Sequence, residues 1–66
     1  MTKNDYLDKE VTVIDTSNYK GEYAEDCPFK AILFEITEYP CYWVRSIETG
    51  KEYELYIFQI KEFEEL

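Results

Sequence analysis

A chain of 66 residues and 8.0 kDa holds one domain around one small core, and below about 70–80 residues such a core rarely supplies more than about 3–5 kcal/mol of net stability. That size excludes a dinucleotide fold, a barrel enzyme or paired catalytic subdomains, while 45% hydrophobic and 18% aromatic residues exclude a disordered tail. Fifteen acids against seven bases leave a net charge of −8, which repels phosphate and anionic membrane surfaces and favours a basic partner, although the same charge also serves plain solubility.

Residues 1–8 read as a short flexible lead-in. They lack the apolar run and small-residue cleavage site of a secretory leader, so a cytoplasmic location is expected. Residues 10–15 alternate and are β-branched, which predicts a first strand. Residues 16–28 carry Ser17, Asn18, Gly21, Asp26 and Pro28, and read as a long loop that also holds Tyr19 and Tyr23. Residues 29–37 form the second strand, with Ile32, Phe34 and Ile36 expected on one face. A turn follows at Glu38, Tyr39 and Pro40, because Pro40 removes a ladder donor and restricts Tyr39.

Residues 41–47 read as the third strand, and residues 48–51 as a hairpin turn with Gly50 where φ is positive. Residues 52–58 alternate at Tyr53, Leu55 and Ile57 and predict a fourth strand. Tyr53, Tyr56, Ile57, Ile60 and Phe63 also fit an amphipathic helix, so that alternative stays open for residues 53–66. Gln59 and Ile60 are expected in a tight turn, with residues 61–65 as a short closing strand or a helical turn. The fold class expected from this order is all-β: one small five-stranded barrel over residues 9–63.

The strand over residues 10–14, the Tyr-bearing loop, residues 29–36, Tyr42-Trp43-Val44-Arg45 and residues 49–56 together resemble the SH3-like barrels, including the KOW and Tudor-like types. The resemblance is one of strand and turn pattern. The chain has no tandem aromatic opening motif, no proline–tyrosine pair before the last strand and no basic loops. Recognition of proline-rich ligands or of nucleic acid therefore does not carry over. Its small size, acidity and aromatic content also resemble phage-encoded accessory and inhibitor proteins.

Catalysis has little to build on. There is no histidine, and the serines are Ser17 and Ser46, so no Ser-His-Asp or Cys-His arrangement can form. Carboxylates abound, but a barrel this small offers no concavity to split a pair of pKa values. Gly21 and Gly50 stand alone and make no phosphate-cradling loop. No enzyme and no cofactor are expected. Cys27 and Cys41 lie fourteen residues apart, a spacing that fits neither a CxxC pair nor a zinc site. Reduced thiols are the simpler expectation, with a disulfide as the alternative. Glu22, Glu25 and Asp26 could offer hard oxygen ligands, but their spacing matches no calcium loop and reads first as a solvated acidic segment.

Glu52 and Glu54 are the sharpest feature. Two residues apart on a strand, they point to one face about 6.6–6.8 Å apart, a row able to imitate backbone phosphates. Charge on an exposed strand also guards an edge against pairing. If Tyr42, Val44 and Ser46 face inward with Ile32 and Ile36, then Cys41, Trp43, Arg45 and Ile47 face outward. Tyr56 and Phe58 would then join them on the neighbouring strand, among Glu52 and Glu54. An exposed Trp/Tyr patch ringed by charge has the form of a protein-binding hot spot. A pleat shifted by one residue would instead bury Trp43. The expected partner-binding residues are Trp43, Tyr56, Phe58, Arg45, Glu52, Glu54, Glu22, Glu25, Asp26 and Tyr23. The expected function is a non-enzymatic interaction module or small inhibitor, monomeric or dimeric, that docks on a basic, nucleic-acid-handling protein by nucleic-acid mimicry. The alternative is an assembly subunit that buries its aromatic patch in a homo-oligomer.

Overall fold

Val11 and Val13 alternate with Glu10 and Thr12, and that β-branched alternation sets the first strand, β1 (Glu10–Val13), of a four-stranded antiparallel sheet. The sheet continues through β2 (Phe29–Ile36), β3 (Tyr42–Ser46) and β4 (Glu52–Leu55), ordered β1-β2-β3-β4. A computed structural model provides these coordinates and describes residues 2–19, 21, 25–38 and 41–64. The protein is mostly β, and the sheet is open.

The hairpin turn forms where Gly50 predicts it. Gly50 has φ +76°, its amide donates to the Ser46 carbonyl at 2.9 Å, and Ser46 in turn donates to Lys51 at 2.8 Å. Val11, Val13, Phe29, Ala31, Leu33, Tyr42, Val44, Tyr53 and Leu55 line the inner face, where Ile60 and Phe63 cover them from the C-terminal segment. Tyr6, from a 3-10 turn over Lys3–Tyr6, meets the Phe63 ring at 5.7 Å. The lead-in is thus packed onto the core.

Several expectations are corrected. The inner residues of β2 are Phe29, Ala31 and Leu33, while Ile32 and Phe34 lie on the outer face. The register slips between Leu33 and Glu35, so that Phe34 is an extra residue opposite β3 and Ile36 returns to the core side, across from Tyr42. A bulge of this kind inserts one residue and bends the strand. The fourth strand ends at Leu55 rather than Phe58. There the Tyr56 amide donates to the Gln59 side-chain oxygen at 2.8 Å, and a 3-10 turn takes over at Ile57–Gln59. Among the described residues, neither a long helix nor a full fifth strand follows. Ile60 makes a single antiparallel bridge to Val13, and Lys61–Glu64 (α1) is one helical turn. Among the described residues the sheet has four strands and does not close into the expected five-stranded barrel. The expected turn at Tyr39 and Pro40 lies outside the described residues.

Each edge of the sheet is capped in part. On β1, the Thr12 amide donates to Glu62 at 2.7 Å and the Ile14 amide to the Gln59 carbonyl at 2.9 Å. On β4, the Tyr19 hydroxyl takes up both backbone groups of Glu54. Unpaired edge groups invite another chain's strand, and at Thr12, Ile14 and Glu54 they are occupied. Among the described residues, no helix is long and apolar enough to cross a membrane.

Candidate functional site

The antiparallel register arranges the outer face in rows, because residues directly opposite one another share a face. Trp43 pairs with Glu35 on β2 and with Glu54 on β4, giving a row Glu35–Trp43–Glu54. One step along, Glu10, Ile32, Arg45 and Glu52 form a row across all four strands. Phe34, displaced outward by the bulge, sits between the rows with its ring 6.4 Å from that of Trp43.

Arg45 links the rows. Its guanidinium carbon lies 5.0 Å from the Phe34 ring centre, and Nη2 and Nε donate to Glu52 Oε2 at 2.7 and 3.1 Å. Arg45 and Glu52 are both exposed, so the pair contributes about 0–1 kcal/mol to stability. Its consequence for the site is larger. Glu52 is neutralised, and the Glu52–Glu54 ladder presents only Glu54 as an uncompensated charge. The carboxylates of Glu10, Glu35 and Glu54 make no hydrogen bond or ion pair among the described residues.

The structure brings together Trp43, Arg45, Glu52 and Glu54, and adds Glu35 and Phe34, which sequence reasoning missed. Glu35 carried a signal, since the expected pleat, with Ile32, Phe34 and Ile36 inward, already turns it to the face of Trp43. The placement of Tyr56 and Phe58 beside Glu52 and Glu54 is corrected. They leave the sheet with the 3-10 turn and stack on each other at 5.8 Å, with Phe58 59% exposed. No ring contact joins them to Trp43 among the described residues.

Glu25 has a different role from an acidic surface residue. Ser46 Oγ, Thr49 Oγ1 and Tyr53 OH donate to its carboxylate at 2.9, 2.8 and 2.6 Å. Burial raises its pKa, but these three bonds and nearby Lys51 outweigh that and hold the carboxyl below the usual range. The Tyr53 hydroxyl is pushed up, first by burial and then by Glu25. Glu62 behaves alike. Burial raises it, while the Thr12 amide and hydroxyl (2.7 and 2.9 Å) lower it further than burial lifts it.

Asp26 is exposed and borders an open depression of about 490 Å³ with Pro28, Phe29, Lys30, Ile47 and Glu48. Glu22 and Tyr23 lie outside the described residues. Cys27 and Cys41 are free thiols. Among the described residues, no three potential metal ligands gather. No protein-family model, curated protein or solved structure matches this chain.

Proposed function

We propose that the chain is a non-enzymatic interaction module, or a small inhibitor, that docks its outer sheet face on a basic protein surface. The observation that carries this reading is the row Glu35–Trp43–Glu54 on a protein of net charge −8. A half-buried Trp between uncompensated carboxylates gives an anchor and a steering field together, and a Lys/Arg-rich surface is its complement. A partner that handles nucleic acid has such a surface. Because Arg45 interrupts the Glu52–Glu54 ladder, mimicry of nucleic acid here rests on overall acidity and on Glu10, Glu35 and Glu54 rather than on an unbroken row of charges. The proposed setting is the cytoplasm.

The SH3-like barrel remains the finer reading of the fold. It draws support from the Val13–Ile60 bridge, which carries the segment after β4 back to β1. A second functional reading, self-assembly, rests on the exposed Tyr56, Ile57 and Phe58 cluster. Sedimentation at micromolar concentration separates the two: a monomer supports docking on a foreign partner, and an oligomer lost in Phe58→Ala supports assembly.

The docking reading is tested by affinity capture with wild type and folded Trp43→Ala side by side, at low and high salt. Basic proteins retained by wild type, released by salt and lost in Trp43→Ala are the expected result. Equal retention by both proteins overturns it.

A further inference from the structure

We infer that the outer face recognises an arginine side chain of its partner, seated on Trp43 between Glu35 and Glu54. The inference rests on the docking reading and gives it a chemistry. Glu35 and Glu54 stand on the strands either side of Trp43, about 9.4–9.8 Å apart across two strand spacings. Both glutamates have side chains long enough to lean inward over the indole. Neither carboxylate has a partner among the described residues.

The neighbouring row already holds an occupied version of the same arrangement. Arg45 lies 5.0 Å from the Phe34 ring centre while donating to Glu52 at 2.7 Å. Aromatic face, guanidinium and carboxylate are all supplied there by this chain. At Trp43 the aromatic face and the carboxylates are present, and the cation is left to the partner. Trp is the strongest of the aromatic faces for a cation. Two carboxylates per cation leave the bound site still negative, suited to a partner segment with further basic residues.

Arginine fits better than lysine for a geometric reason. A guanidinium stacked on the indole keeps its N–H groups in its own plane, directed sideways at the flanking carboxylates. An ammonium is a compact, strongly hydrated charge that cannot stack and fork at once.

The test uses the intact protein and the emission of Trp43, the one tryptophan of the chain. Hexa-arginine, hexalysine and a neutral Gly/Ser peptide are titrated at low salt into three proteins. These are wild type, Glu35→Gln/Glu54→Gln and a charge-matched control, Glu48→Gln/Glu64→Gln. Wild type is expected to bind hexa-arginine saturably and about fivefold or more tighter than hexalysine, with the site pair weakening it about tenfold and the control pair less than about threefold. All substituted positions are exposed, so folding is preserved, and the indole N–H resonance gives a second readout. Equal losses in the two variants, or equal binding of both basic peptides, overturn the arginine site and leave docking by overall charge standing. If neither basic peptide binds wild type, the site and the docking reading fall together.

Discussion

The Tyr19 hydroxyl closes on both backbone groups of Glu54, accepting from its amide at 2.7 Å and donating to its carbonyl at 3.0 Å. One side chain from the long loop thus stands in for a missing neighbour strand. Its ring also packs edge-on against Tyr53 at 4.9 Å. Tyr19→Phe keeps that ring contact and removes the edge cap. The expected loss is about 1–2 kcal/mol, since two backbone groups return to water while one shared partner is deleted. Urea unfolding measures the loss, and amide hydrogen exchange at Glu54 should accelerate. Unchanged exchange would show that the hydroxyl does not guard this edge.

Glu25 gives a prediction in pH. Glu25→Ala strands the Ser46 and Tyr53 hydroxyls, and a cost of about 2–3 kcal/mol is expected at neutral pH. Because Glu25 ionises more readily in the folded protein than in the unfolded chain, its contribution is complete above the unfolded value of about 4.3. The contribution fades as pH falls through the lower folded value. Urea midpoints of wild type and variant should therefore draw together as pH falls below about 4.3, the unfolded value. A constant difference across that range would mean that ionisation of Glu25 is immaterial to the fold.

Glu62 ties α1 to β1 by a relay: Lys30 Nζ donates to Thr12 Oγ1 at 2.8 Å, and Thr12 donates to Glu62 at 2.9 Å from its hydroxyl and 2.7 Å from its amide. A double-mutant cycle of Thr12→Val and Glu62→Ala isolates the side-chain part, for which about 1–2 kcal/mol of coupling is expected because the acceptor is charged. The amide bond survives Thr12→Val, so Glu62→Ala should be the costlier single change. Equal single losses would assign the strength to the hydroxyl instead.

What could be read from the chain follows from how one-sided each segment is. β1 and the Gly50 turn formed where β-branched alternation and a residue fit for positive φ predict them, and in β3 Tyr42, Val44 and Ser46 face inward, which settles the open choice of pleat with Trp43 outward. β2 carries apolar residues on both faces, Phe29, Ala31 and Leu33 against Ile32 and Phe34. Alternation could not choose between them, and the bulge then moved Ile36 across. Past Leu55 the apolar alternation persists to Phe58, but the strand stops because Gln59, a buried side chain, bonds Tyr56, Asp15 and Asn18. The bonds to Asp15 and Asn18, across some forty residues, have no local signature. Glu25 was hidden for the same reason, its donors lying 21 to 28 residues away. Ser46 was the one hint, a polar residue on an inward position that needed a partner.

Trp43 and Leu33 give the sharpest contrast between site and core. Leu33 is fully buried on the inner face, whereas Trp43 is half-buried on the outer one, against Phe34. Leu33→Ala should cost about 2–5 kcal/mol, through lost transfer energy and the cavity left behind. That is comparable to the whole stability of a domain this small, so the variant should be largely unfolded. Trp43→Ala opens no enclosed cavity, and the ring contact it loses is worth about 0.5–1.5 kcal/mol beyond its buried area. The variant should therefore keep the β-sheet circular dichroism of wild type and a cooperative urea transition, while binding to a basic partner falls by at least about 2 kcal/mol, the scale of a hot-spot anchor. Glu35→Gln and Glu54→Gln should slow association, flatten its salt dependence and, because both carboxylates contact the seated guanidinium, also speed dissociation. Should Trp43→Ala unfold as Leu33→Ala does, Trp43 belongs to the core, and the outer face loses its anchor.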